Sequence, residues 1–181
     1  MSVFTNRQSR SPEQAREYTN AILGLLGDRD PRDVLAATPG ALRRAVEGLS
    51  DGQLSMPEAD GKWSVRQVVR HLADSEIVWG WRFRLVFAQD RPAITGFDQD
   101  AWAGRFHYDL APLDDALEEF SALRRTHLRL LASASPADLA RVGVHAERGE
   151  ESVAHMMKMN AGHDLLHLRQ IDRIRSVVIA K

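Results

Sequence analysis

Three long segments of this chain repeat apolar residues at the spacing of an α-helix. No segment of useful length alternates apolar and polar residues as a half-buried strand would. The clearest runs from Ser64 to Gln89, where Val65, Val68, Val69, Leu72, Trp79, Phe83, Val86 and Phe87 form the stripe. A second runs from Pro112 to Ala132 on Leu113, Leu117, Phe120, Leu123, Leu128 and Leu131. A third runs from Glu150 to Val178 with Met156, Met159, Leu166, Ile171 and Ile174. Ser11-Pro12-Glu13-Gln14 and Ser64-Val65-Arg66-Gln67 both read as capping boxes. The first predicts a helix to about Leu26, stopped by Gly27-Asp28-Arg29-Asp30-Pro31. A further helical stretch is broken or restarted at Thr38-Pro39 and ends near Gly48. Residues 50–62 read as a loop, and residues 133–149 as an irregular connection. Residues 90–111 read as a connection long enough to be functional or to carry its own short helix. Strand content is expected near zero. The predicted fold is all-α, a four-helix bundle with long connections and an extra N-terminal helical segment. Residues 1–10 are expected to be flexible and residues 11–181 to form a single bundle domain.

Composition narrows the chemistry. Lys+Arg 24 against Asp+Glu 25 leaves a net charge of −1, which argues against a nucleic-acid partner, since such proteins carry a basic excess or stripe. Cysteine is absent, so no disulfide, thiolate metal site or cysteine nucleophile is available. That absence suits a reducing, cytoplasmic setting. The N-terminal residues show no secretory h-region, and no apolar run reaches a membrane span, so no membrane association is expected. No Ser-His-Asp spacing and no phosphate-cradling glycine loop stands out, so catalytic side chains cannot be assigned and no organic cofactor site is read.

The histidines are more informative. His163 and His167 are four residues apart in the last helical segment, which puts their rings about 40° apart on one face. Neutral imidazoles so placed can converge on one cation. Asp164 stands where the H-E-x-x-H zinc-protease motif needs Glu, which counts against that reading. His71 sits in the middle of the Ser64–Gln89 segment beside Val68 and Leu72. If the two helices are bundle neighbours, all three rings can meet at one depth, and three protein ligands leave a coordination position open for water or substrate. The alternative is that these are ordinary core or surface histidines.

The stretch from Gly61-Lys62-Trp63-Ser64 through His71-Leu72-Ala73-Asp74-Ser75-Glu76 resembles the second-helix signature of the DinB-like superfamily (the DinB/YfiT type). His163-Asp164-Leu165-Leu166-His167-Leu168-Arg169-Gln170-Ile171 resembles its fourth-helix signature. The resemblance covers roughly residues 30–178, including the Phe97–Trp102 connection, and extends to bacillithiol and mycothiol S-transferases. It implies a four-helix bundle with crossed connections and a divalent transition metal, zinc or nickel, held at positions matching His71, His163 and His167. It also implies a homodimer. The function it suggests first is transfer of a small thiol onto a small electrophilic substrate. Metal-assisted hydrolysis, or a non-catalytic metal-binding stress-response module, are the alternatives.

Other residues carry smaller expectations. Gln170 and Asn160 share the ligand face and either orient ligands, contact a bound molecule or line a polar seam. Asp74, three residues after His71, is placed to hold a histidine ring nitrogen. Glu76 with Arg82 and Arg84 reads as ion pairs on one helix. Trp63 reads as a packing staple, and Met156, Met157 and Met159 as core filler. Trp79 and Trp81 cannot both face the core, so one is expected at an interface or pocket mouth. His107, His127, His145 and His155 are not expected to be ligands.

Overall fold

A computed structural model describes residues 12–180, so the expectations for residues 1–10 and for Ser11 as a cap fall outside the described residues. Five long helices dominate: α1 (Pro12–Leu26), α2 (Pro31–Val46), α4 (Val65–Ala88), α6 (Leu113–Ala132) and α8 (Val153–Ile179). Short helices α3 (Asp51–Ser55), α5 (Gln99–Arg105) and α7 (Pro136–Ala140) lie in the connections. Three short strands, β1 (Ala93–Ile94), β2 (Val142–His145) and β3 (Gly149–Ser152), form one sheet in the order β1-β2-β3. The β1–β2 pairing is parallel and the β2–β3 pairing antiparallel. Among the described residues, no helix is long and apolar enough to cross a membrane.

Helices α2, α4, α6 and α8 make the four-helix bundle, and α1 packs on α8. The core has two ends. Val65–Ala73 of α4 and Ala116–Phe120 of α6 share one cluster with Leu42 and Val46 of α2 and Ile171–Val178 of α8. Leu35, Trp79, Phe83, Val86, Leu131 and Val153–Met159 share the other. Helices α2 and α8 therefore run one way, and α4 and α6 the other. Joining two parallel neighbours requires the chain from α4 to α6 to return along the bundle, whose helices are about 30–36 Å long at 1.5 Å per residue. That return explains why residues 89–112 form so long a connection.

The structure corrects several local expectations. Helix α2 does not break at Thr38-Pro39 but continues through it. Pro39 has no N–H for the carbonyl of Leu35, and Arg124 of α6 supplies the missing donor, Nη1 to Leu35 O at 2.8 Å. Thr38 bonds back to Val34 O at 2.8 Å. The stretch read as a loop at 50–62 contains α3, nucleated by a Ser50–Gln53 capping box. Strand content is small but real. The hairpin β2–β3 turns at Gly149, whose φ of +79 favours glycine, and its four-residue strands are too short to show a period. Residues 150–152 belong to that hairpin, so the last helix starts at Val153, capped by Ser152. The Ser64–Gln67 capping box forms as read.

A polar layer crosses the middle of the bundle. Arg124, 1% exposed, donates Nε to Glu76 Oε2 (2.9 Å), Nη2 to Glu76 Oε1 (2.8 Å) and Asp164 Oδ1 (3.2 Å), and Nη1 to Asp164 Oδ2 (2.6 Å) and Leu35 O. Those are the five N–H donors of a guanidinium, all satisfied. His127 Nδ1 lies 2.9 Å from Glu76 Oε2, and Asn160 Nδ2 donates to Glu76 Oε1 at 3.4 Å. Every helix of the bundle contributes a group. Gly80 is required here because a Cβ on it would collide with the His127 ring.

Candidate metal centre

His71 of α4 and His163 and His167 of α8 meet in the core, with exposures of 0%, 5% and 3%. His163 Nε2 lies 3.3 Å from His71 Nε2 and 3.2 Å from His167 Nε2. The antiparallel crossing of α4 and α8 brings the middle of each helix to the same depth, so the i, i+4 pair faces the third ring. The three ligand atoms lie within 4.8 Å of one another, and this is the only metal-capable group found among the described residues. His107, His127, His145 and His155 are not part of it.

The hydrogen-bond pattern tests whether the residues fit an ion. Gln170 Oε1 accepts from His167 Nδ1 at 2.8 Å, which fixes that tautomer and leaves a lone pair on His167 Nε2. His163 Nε2 has both other nitrogens as neighbours, yet a single N–H there can serve only one of them. The rings alone therefore cannot satisfy all three Nε2 atoms at once, and Ser75 Oγ, 3.4 Å from His71 Nε2, is the one further polar partner of these atoms among the described residues. Two nitrogens bound at roughly 2.0–2.1 Å to one zinc-like ion stand on the order of 3 Å apart, which matches these separations. Burial lowers the pKa of all three rings, to about 4 for His167 and well below the usual value for His71 and His163, where neighbouring histidines push further down. All three are therefore neutral, lone-pair donors at neutral pH. The residues fit a divalent transition-metal ion.

These depressed pKa values carry a stability consequence. The folded-state value of His167, about 4, lies below the ordinary 6.5, so its stabilising contribution is present above pH 6.5 and is lost as pH falls through 4. His145, lowered to about 4 by burial and Arg148, acts the same way. The urea midpoint of metal-free protein is expected to fall steadily between pH 6.5 and 4. A flat profile across that window would contradict the buried, neutral state of these rings.

Around the triad, Trp63 packs 5.0 Å from the His71 ring, Phe97 stacks on that ring at 6.4 Å, and Ser75 Oγ lies 3.4 Å from His71 Nε2. Phe97 and Trp102, 4.8 Å apart, belong to the return connection, which thereby covers the site. Beside it lies a cavity of about 60 Å³ whose lining includes Ser75, Trp79, Arg82, Phe97, His145 and His163.

Of the polar residues assigned roles from sequence, Gln170 does orient a ring of the triad. Asn160 instead serves Glu76. Asp74 holds no histidine: it accepts from Arg70 and from the buried Tyr108 hydroxyl, while Arg70 also reaches Glu119 at 2.6 Å. Glu76 does not pair along its own helix, because Arg124 and His127 take it. Arg82 donates to Thr95 O (2.8 Å) and Arg84 to Gly80 O (2.8 Å). Trp79 is buried beside the cavity and Trp81 is 63% exposed. Sequence reasoning missed Arg124, Ser75 and Tyr108. Arg124 had a signal: it is four residues after Phe120 and seven after Leu117, inside the apolar stripe of α6.

Comparison with known proteins bears on the family and the fold. Residues 35–171 match the DinB superfamily. A protein of Oceanobacillus iheyensis named "Putative metal-dependent hydrolase OB0782" is 34% identical over 133 residues, covering 74% of this chain and 77% of the relative. "Putative metal-dependent hydrolase YfiT" of Bacillus subtilis is 31% identical over 144 residues, 77% of this chain and 81% of the relative. A solved structure of YfiT from Bacillus subtilis, described as "a probable metal-dependent hydrolase with an unusual four-helix bundle topology", superposes with a TM-score of 0.74 at 28% identity. It covers 94% of this chain and 91% of the other.

Proposed function

This chain belongs to the DinB superfamily, and from that premise we propose that it is a metal-dependent enzyme that transfers a small thiol to an electrophile. His71, His163 and His167 hold one divalent transition-metal ion, zinc or nickel, and the reacting molecule reaches it from the cavity beneath Phe97. The observation that carries the metal reading is the convergence of three buried, neutral Nε2 atoms. A bound ion of this kind supplies Lewis acidity, lowering the pKa of a thiol or water that reaches it.

The remaining chemistry falls to the protein. Gln170 fixes the tautomer of His167, and Trp63 and Phe97 hold the His71 ring and exclude water. The carboxylates nearest in sequence to the ligands are all engaged: Asp74 by Arg70 and Tyr108, and Glu76 and Asp164 by Arg124. One carboxylate beside the site, Glu147, lines the cavity that reaches His163 and makes no ion pair among the described residues. A thiol is the easier nucleophile to generate here, since a thiol ionises near about 8.5 unaided and water only near about 15.7. Hydrolysis is the second reading, supported by the names of the relatives.

Zinc-loaded protein should conjugate a small thiol such as N-acetylcysteine to monochlorobimane, and chelator treatment should abolish this. Turnover of p-nitrophenyl acetate without thiol, with no bimane conjugation, would replace transfer by hydrolysis. Chelator-resistant turnover would remove the metal from the mechanism.

A further inference from the structure

Three arginines are buried in the described structure. Arg66 pairs with Asp51, and Arg124 pairs with Glu76 and Asp164. Arg82, 6% exposed, has no carboxylate partner. Its one hydrogen bond among the described residues is Nη2 to Thr95 O, its Nε–H is buried without an acceptor, and its cation lies 5.2 Å from the Trp79 ring centroid. The nearest competing cation is already neutralised: Arg148 makes a fork to Glu151, at 2.5 and 3.0 Å. Glu147 also lines the cavity but makes no ion pair with Arg82. A buried cation held in no ion pair is costly, and neither the cation–π contact nor the more distant attraction of Glu151 and Glu147 offsets all of that cost. Burial accordingly draws the Arg82 pKa down to about 10, with Arg148 adding repulsion.

A second unpartnered donor lines the same cavity. His145, 2% exposed, accepts from the Glu147 N–H through Nδ1 at 3.1 Å, so its Nε2 carries the hydrogen, and that Nε2 is buried without a partner. The cavity also runs past Ser75 and His163. On α4, His71, Ser75, Val78 and Arg82 fall at steps of four, three and four residues, so they share one face. Eleven residues rise about 16 Å along the helix axis, but Arg82 and His163 line one small cavity, which puts the guanidinium on the order of 10 Å from the triad.

We propose that Arg82 and His145 form an anion subsite in this cavity, which receives a carboxylate or phosphate group of the substrate on the order of 10 Å from the histidine triad. The subsite rests on the proposed enzymatic reading for its meaning as substrate recognition, but binding at it needs no metal. The substrate class is then an elongated small molecule with its anionic group at one end and its reacting bond at the other.

The test titrates propanoate, methyl phosphate and the neutral propanamide into chelator-treated and zinc-loaded full-length protein. It follows the ¹⁵N Arg82 Nε–H signal by NMR and affinity by calorimetry. At least one anion should move the Arg82 signal and bind at least about tenfold tighter than propanamide in both preparations, the better one identifying carboxylate or phosphate as the recognised group. R82Q should remove that preference. An unmoved Arg82 signal, undiminished anion preference in R82Q, or anion binding only in zinc-loaded protein would overturn the subsite. Should R82Q fail to fold, the wild-type NMR titration decides alone. Anion binding in a protein that takes up no metal would defeat the metalloenzyme reading and leave the subsite standing.

Discussion

His163→Ala is expected to raise the dissociation constant for zinc by more than about 100-fold while leaving the helical content unchanged. The magnitude follows from comparison: loss of a residue that only orients a ligand costs about 10–100-fold in affinity, and His163 is itself a proposed ligand. His163 is the central ring, within 3.3 Å of both other nitrogens, so its removal leaves His71 and His167 without a common partner. Its side chain makes no hydrogen bond to the backbone or to the polar layer, so the fold should survive. Calorimetric zinc titration beside circular dichroism checks both halves. Wild-type affinity in the variant would mean that the ion sits elsewhere.

Arg124→Ala is expected to cost about 3–5 kcal/mol of stability, because it leaves Glu76 and Asp164 buried at 1% exposure with no cation between them. In a chain of this size that corresponds to a fall in Tm of roughly 6–20 °C. Burial opposes ionisation of both acids. Arg124 and His127 together outweigh it at Glu76 and hold that carboxyl low, but Arg124 does not outweigh it at Asp164, whose pKa stays raised. The variant also removes the donor that satisfies Leu35 O opposite Pro39. Replacing all three charged residues together, as E76L with R124M and D164L, should cost less than Arg124→Ala alone. Thermal denaturation of both variants separates loss of one partner from loss of the layer. An Arg124→Ala protein within about 1 kcal/mol of wild type would show that the layer does not hold the helices together.

The bundle and its triad were legible because they rest on period and spacing. The stripe of α4 and the i, i+4 pair on α8 each follow from 100° per residue, and once the helices cross antiparallel, His71 falls opposite the pair. Interactions between elements were not legible. Pro39 reads as a helix break until Arg124, 85 positions later, supplies a donor. Asp74 and Glu76 lie within two turns of His71, yet Asp74 goes to Arg70 on its own helix and Tyr108 in the return connection, and Glu76 to Arg124 and His127 of α6. For Glu76, local spacing proposed partners on the same helix, and the bundle supplied others across it. The hairpin β2–β3 escaped notice because its strands are too short to show alternation. The unpaired state of Arg82 became visible only when its neighbours were placed.

The direct test of the central claim is metal analysis of protein purified without chelators, combined with anomalous diffraction at the absorption edge of the metal found. The structure predicts about one divalent transition-metal ion per chain, with its anomalous peak bonded to the Nε2 atoms of His71, His163 and His167 at roughly 2.0–2.1 Å if the ion is zinc. A chain that takes up no transition metal, or a peak elsewhere in the molecule, would contradict it.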